Sequence, residues 1–356
     1  MTIDRPPPVP GRRIGIIRLT SLGDVIHTLP VAAAIRDGDP AAKIVWFAEE
    51  REQTFLRGNP VVDEVITVPL RRWRQQLASP SGLRRTVLEL RELLRRLRLD
   101  PIDVAIDVQG WPHKTSPIVR ATRAPIRIGF DRRNARHPLA TLFTTHQVAP
   151  PPEAGHIVEK NLALLGPIGL GRVGTPRFPL PSFADADERA AAWLAEARFA
   201  REGGPAAQLV ALLPSTRGRA KLWPASNYRE LARQLLADPA VLVVILGGPG
   251  EEPLLEEVRS GLPESRAVVC APGPIPELVG VIRRAQLAVG NDTGPLHVAA
   301  AIGVPSLGLF GPTRGARNGP YGAHCAYIQS PTGRMLDIPV HQVVAAVRQL
   351  RGIEVR

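Results

Sequence analysis

The strongest constraint on this chain is an alternation that runs through it twice. Short, predominantly apolar runs are followed each time by longer segments whose apolar residues recur at helical spacing. Ile14 to Leu19 opens the first pass as a strand, and Val25 to Ile35 follows it as a helix. A strand over Ile44–Phe47, an apolar run at Val65–Val68, a long amphipathic helix over Leu83–Leu97 and a strand at Val104–Val108 continue it. Strands of this kind, separated by helices, build a parallel sheet covered on both faces. A helix from His156 to Leu165 ends at Gly166-Pro167, and the Gly- and Pro-rich stretch Gly169–Ser182 interrupts the pattern.

The second pass begins with a helix over Asp187–Ala200 and the strand Leu209–Leu213. It continues through a helix at Tyr228–Leu236, the strongly apolar strand Val241–Leu246, and units at Glu252–Ser260, Pro276–Ala285, Leu287–Val289, Pro295–Ala301 and Ser306–Phe310. The fold class is therefore α/β, with two successive doubly wound parallel sheets. The expected division is a first domain over 12–168, a linker over 169–186, a second domain over 187–335, and a closing segment over 336–356. The helix of that last segment, Val340–Leu350, is available to pack back on the first domain. Open sheets of this kind bind ligands outside the carboxyl ends of their strands, so two of them facing each other would share one cleft.

At 356 residues and 44% hydrophobic composition the chain fills two cores, which excludes intrinsic disorder and small disulfide scaffolds. Cys270 and Cys325 are far apart, form no metal-knuckle spacing, and point to a reducing cytosol. No apolar stretch approaches the roughly 18 residues of a membrane span, and the Pro-rich start is no signal-peptide core. The formal charge of +12 is carried by arginine, since lysine occurs only at positions 43, 114, 160 and 221. Such a balance either reflects composition alone or draws the protein to phosphates of a nucleotide, nucleic acid or anionic membrane. Aromatic residues are scarce, at 4%, and do not interleave with the basic ones, which disfavours nucleic acid.

Three loops carry the candidate chemistry. In Arg18–Pro30, Asp24 stands between the first strand and the first helix, either as a helix cap or as a carboxylate at a cleft mouth. Neither a dinucleotide-binding glycine pattern nor a P-loop is present. In Gly290–His297, Asp292, Thr293 and Gly294 open a helix, either as an ordinary capped start or as one whose N–H groups hold an anion, and His297 falls one turn beyond Thr293, either towards that anion or in the core. In Leu213–Pro224, Ser215, Thr216 and Lys221 suit a diphosphate, while Glu251, after the turn Gly247–Gly250, suits a ribose. Arg71, Arg72 and Arg74 flank Trp73, either as a solvated loop or, because three guanidiniums so close repel one another, with an anion among them.

In this order the loops resemble those of glycosyltransferase family 9, the heptosyltransferases of lipopolysaccharide core assembly. The resemblance is nearest to the heptosyltransferase I branch. It rests on Ser21–Pro30, Arg71-Arg-Trp-Arg74, Asp107-Val-Gln-Gly110 with Lys114, Asp292-Thr-Gly followed by His297, and Gly311-Pro-Thr313. It implies a GT-B fold of two Rossmann-like domains facing a central cleft. It further implies inverting transfer of heptose from ADP-L-glycero-D-manno-heptose to the Kdo of Kdo-lipid A. Asp24 becomes the general base. Ser215, Thr216 and Lys221 hold the donor diphosphate, Glu251 the ribose, and Asp292, Thr293, Gly294 and His297 the phosphate or heptose. Arg71, Arg72, Arg74, Gln109 and Lys114 fall to the acceptor. The segment between Thr216 and Lys221 is one residue longer than the family pattern, and Ser215 replaces a threonine.

Such a reaction needs neither metal nor cofactor, because cations and a helix N-terminus stabilise the leaving phosphate. Asp185-Ala-Asp187 imitates a metal-binding acidic motif but sits where first-turn acids are ordinary. The expected place of work is the cytoplasmic face of the inner membrane, with peripheral attachment and no transmembrane segment. The competing readings are a family 9 enzyme with another donor or acceptor, including a heptosyltransferase II-like one, a nucleotide-sugar epimerase, and a nucleic-acid-binding protein.

Overall fold

The computed structural model describes residues 11–170, 174–196, 208–270 and 274–350. The chain divides into two units between Ser182 and Phe183. The first unit is built on β1 (Arg13–Ile17), β2 (Lys43–Ala48), β3 (Glu64–Thr67), β4 (Val104–Asp107), β5 (Ile126–Phe130) and β6 (His146–Val148). These pair in the order β3-β2-β1-β4-β5-β6, every pair parallel. The second unit holds β7 (Gln208–Leu213), β8 (Val241–Leu246), β9 (Ala267–Cys270), β10 (Leu287–Asn291), β11 (Ser306–Phe310) and β12 (Cys325–Gln329). Their order is β12-β11-β10-β7-β8-β9, again parallel throughout.

Counted from the start of each unit, both sheets read 3-2-1-4-5-6, the doubly wound order whose strand sequence reverses between the first and fourth strands. That reversal leaves a crevice at the carboxyl ends of β1 and β4 in one unit and of β7 and β10 in the other. All the candidate loops except the Glu251 turn, the arginine cluster and Gly311-Pro-Thr313, which follows β11, emerge from those four strands.

The apolar runs form strands because both faces are covered. In β7 and β8 the residues alternate between two cores. Val210, Leu212, Val243 and Ile245 join one cluster, and Leu209, Ala211, Leu213, Leu242, Val244 and Leu246 join the other. In the first unit Ile17, Leu19, Val45, Phe47 and Ala105 meet Leu97 and Val119 of the covering helices.

The first and last helices of the second unit depart from the sequence expectation. The helix expected from Asp187 starts at Ala184, because Phe183 O already accepts from Asp187 N and closes its first turn. Its expected end at Ala200 lies outside the described residues, as does the end of the 336–356 segment. The last helix, Val340–Leu350, was expected to be available to the first domain. It instead buries Val343, Val344 and Val347 among Trp223, Tyr228 and Val243, because its apolar stripe completes one core of the second unit. No described helix is long and apolar enough to cross a membrane.

Candidate active site

In the first unit the site begins where β1 ends. Arg18 is buried and donates through Nη1 to Val108 O beyond β4 at 3.3 Å. Its Nη2 forms a short ion pair with Oδ1 of Asp24. The backbone N–H and the hydroxyl of Ser21 both donate to Oδ2 of Asp24 at 3.1 Å. Asp24 thus does take part in the capping of the helix Leu22–Ile26, as its position suggested. It also keeps its carboxylate open, with 38% of the side chain exposed. A carboxylate oriented from one side and accessible from the other can accept a proton from a hydroxyl.

The loop after β4 is shaped by buried Asp107. Its Oδ1 accepts from the N–H groups of Gln109 and Gly110 at 3.1 and 2.8 Å, and its Oδ2 from Thr115 at 3.0 Å. Burial nevertheless raises its carboxyl pKa above the ordinary value. Beyond it, Lys114 Nζ lies 4.6 Å from the centre of the Trp111 ring and the Arg136 guanidinium 4.7 Å. Glu49 lies near Lys114 and Arg71: burial raises its carboxyl, and those cations pull it down in part. Lys114, Arg71 and Arg136 therefore belong to one basic region beside the Asp24 loop.

In the second unit the centre is Asp292, just after β10. Lys221 Nζ donates to its Oδ2 at 2.6 Å, Thr313 Oγ1 to the same oxygen at 2.9 Å, and His297 Nε2 lies 3.4 Å from Oδ1. Thr216 Oγ1 donates to the Asp292 carbonyl at 3.2 Å. Burial opposes the charge, but the bonds from His297 and Lys221 outweigh it and hold the Asp292 carboxyl well below the usual carboxylate range.

Asn291 brackets the facing loop, since its Nδ2 donates to Pro214 O at 2.5 Å and its Oδ1 accepts from Trp223 N at 3.2 Å. Trp223 anchors that loop in the core through Nε1 to Ile338 O at 3.0 Å. Gly290 permits the approach, because a Cβ there would lie 2.8 Å from the Cβ of Leu213. Thr293 starts the helix Gly294–Ala301 without a side-chain capping bond, so the first N–H groups remain for a ligand. The Oγ of Ser215 is buried with no hydrogen-bond partner among the described residues.

Several expected residues do other things. Gln109 was assigned to the acceptor, but it is buried, with Oε1 accepting from Leu19 N and Nε2 donating to Thr20 Oγ1, both at 3.4 Å, so its amide braces the Asp24 loop. The arginine cluster is the helix Leu70–Gln76. Within it Arg72 is held by Glu50 and Glu89, at 2.6 and 2.9 Å, which supply from the protein the anion expected from a ligand. Trp73 packs partly buried on the first core and donates to Glu89 at 2.8 Å, rather than lying open for a ligand. Arg71 and Arg74 remain exposed. Glu251 lies apart from the Asp292 loops in sequence and uses Oε2 to accept from Gly248 N at 2.6 Å. Asp187 sits 3.4 and 3.8 Å from Arg283 and Arg284.

A family model, glycosyltransferase family 9 (heptosyltransferase), matches residues 90–339. Lipopolysaccharide heptosyltransferase 1 of Pseudomonas aeruginosa is 32% identical over 328 residues, covering 89% of this chain and 84% of its own. The chain belongs to glycosyltransferase family 9. Lipopolysaccharide heptosyltransferase 1 of Escherichia coli K12 is 27% identical over 345 residues, 95% of this chain and all of its own. The family 9 glycosyltransferase of Veillonella parvula superposes with a TM-score of 0.78 at 22% identity, over 97% of this chain and 99% of that one. E. coli heptosyltransferase WaaC with ADP gives 0.75 at 24%, over 95% and 99%. This family 9 enzyme is a glycosyltransferase of GT-B fold. Within it the sequence pattern gave no role to Arg18, Arg136, Asn291 or Thr313, whose partners Val108, Trp111, Pro214 and Asp292 are brought to them by the fold.

Proposed function

We propose that this enzyme transfers a heptose, with inversion, from ADP-L-glycero-D-manno-heptose to the Kdo of Kdo-lipid A. The observation that carries the reading is chemical contrast between the two switch-point sites. One presents an oriented, open carboxylate and the other an uncapped helix start ringed by hydroxyls and cations. Asp24 takes the proton of the acceptor hydroxyl as its oxygen bonds to the anomeric carbon. The bond from that carbon to the β-phosphate oxygen breaks on the opposite face, and its electron pair leaves with ADP.

Ser215, Thr216, Lys221, Thr293 and the N–H of Gly294 offer donors to the diphosphate, where negative charge grows in the transition state. Asp292 and His297 suit heptose hydroxyls, since a carboxylate accepts from them and would repel phosphate. Glu251 retains an oxygen for the ribose. Arg71, Arg74, Lys114 and Arg136 suit the Kdo carboxylate and lipid A phosphates, with the enzyme working at the cytoplasmic surface of the inner membrane. The names of the P. aeruginosa and E. coli relatives support this reading, as does the WaaC structure with ADP-2-deoxy-2-fluoro heptose.

Two relatives of about 25% identity are called heptosyltransferase 3, which makes a heptosylated acceptor the second candidate. Calorimetry with ADP, UDP and GDP, together with product analysis on Kdo-lipid A and on its heptosylated form, decides. ADP should bind best, and Lys221→Ala and Thr293→Val should each weaken it by about 1–3 kcal/mol. Equal affinity for the three nucleotides would sink the donor assignment. Transfer only to the heptosylated form would sink the acceptor assignment.

A further inference from the structure

The segment joining β3 to β4 is the most basic stretch of the first unit, with nine arginines against two glutamates over residues 70–99. It folds as two helices, Leu70–Gln76 and Pro80–Leu99. Gly82 lies against the end of the shorter helix, so closely that a Cβ would fall 2.0 Å from Gln76 O. The contact between them is polar: Thr86 donates to Gln76 at 2.8 Å and Trp73 to Glu89 at 2.8 Å.

Three rows run along Pro80–Leu99 at the spacings of one helical face each. Gly82, Thr86, Glu89, Leu93 and Leu97 face inward, and Leu97 is buried in the core. Beside them Leu83, Val87 and Leu90 are 50%, 38% and 41% exposed. Next comes a row of Arg84, Arg91, Arg95 and Arg98, with Leu88 exposed on its far edge. Arg84, Arg91 and Arg98 have no ion-pair partner among the described residues. The helix is too polar to span a bilayer. An apolar row flanked by arginines is the pattern of a helix lying in the plane of an interface, its leucines in the acyl boundary and its guanidiniums among headgroups.

We propose that Pro80–Leu99 docks this enzyme on an anionic lipid surface by inserting Leu83, Val87 and Leu90 beneath a row of arginine–headgroup contacts. Charge decides the occupant. A second copy of the chain would set the same arginine excess against itself across a two-fold interface, whereas anionic lipid complements it. The inference does not depend on the donor; it gives the proposed lipid-borne acceptor a route to the enzyme.

Sedimentation of the full chain with phosphatidylcholine vesicles, with and without phosphatidylglycerol, tests it. The wild type should bind only the anionic vesicles. Replacing Leu83, Val87 and Leu90 with serine together should weaken binding about tenfold. Replacing Arg84, Arg91 and Arg98 with glutamine should weaken it about a hundredfold and flatten its salt dependence. Val87→Trp should gain fluorescence that acyl-brominated lipid quenches, beyond the quenching of the wild type. Failure of the wild type to bind, undiminished binding by the serine variant, or no added quenching at Trp would each overturn the proposal. So would a dimer in light scattering that the serine variant dissolves, which would name a second copy as the occupant. Transfer to a deacylated, water-soluble acceptor should be the same in wild type and serine variant. Vesicle binding by a wild type that transfers no heptose would uphold docking and refute the functional reading.

Discussion

Asp24 and Asp292 both stand beside the strand reversal of a 3-2-1-4-5-6 sheet and at the start of a helix, one after the first strand and the other after the fourth, yet they are built oppositely. Asp24 pairs with Arg18 and accepts from the N–H and hydroxyl of Ser21, yet keeps 38% of its side chain in solvent. Asp292 is 13% exposed and collects Lys221, Thr313 and His297. The same topology therefore supplies a place, and the neighbours decide whether the carboxylate there stays exposed or serves as a buried hub that fixes other groups. An open carboxylate can change its protonation during a reaction. A carboxylate largely buried among its donors works as a fixed charge.

The largest effect should come from removing the open one. Asp24→Asn should leave the fold and ADP affinity intact while turnover falls by roughly 10²-fold or more, since an amide cannot take the acceptor proton. Rate measurements paired with ADP calorimetry would show it. Near-normal turnover in a folded variant would reduce Asp24 to a helix cap and end the contrast.

At the hub, Asp292→Asn should cost stability, about 2 kcal/mol for a largely buried ion pair losing one partner. It should also change the pH response. Because the folded carboxyl lies below the unfolded value of about 4, its stabilising contribution is complete above that value and is lost as pH falls towards the folded one. Urea midpoints taken from neutral to acid pH should therefore decline less steeply in the variant than in the wild type. Parallel declines would mean that the cluster around Asp292 carries no titration-linked stability.

The smallest effect separates arginines within the cluster. Arg71→Gln should raise the acceptor KM several-fold, on the scale of one exposed charged contact, whereas Arg72→Gln should change it less because Glu50 and Glu89 already hold that side chain. Equal changes would show that the carboxylates release Arg72 to the acceptor.

The comparison also marks what the sequence could say. Central strands such as Val241–Leu246 were legible because burial on both faces leaves no polar position. Four outer strands, β5, β6, β9 and β12, were not. Arg127, His146, Gln147 and Gln329 interrupt three of them. Loops at the strand reversals advertised themselves by small residues, hydroxyls and acids. Their supports did not. Arg18 reaches Val108, 90 residues away, and Asn291 reaches Pro214, 77 residues away, and such pairings have no local signature. The arginine cluster was read as a loop on its composition, yet Trp73 gives it a packed face and makes it a helix.

The last helix has a bearing on how the chain is made. The first unit owns every strand and covering helix of its sheet by residue 182, so it can close while the rest is still being synthesised. The second unit cannot, because Val343, Val344 and Val347 complete the core around Trp223, and Ile338 receives the indole N–H that pins the loop after β7. Until those late residues have left the ribosome, the loop bearing Ser215, Thr216 and Lys221 has no finished floor. The first unit therefore precedes the second in time as well as in sequence.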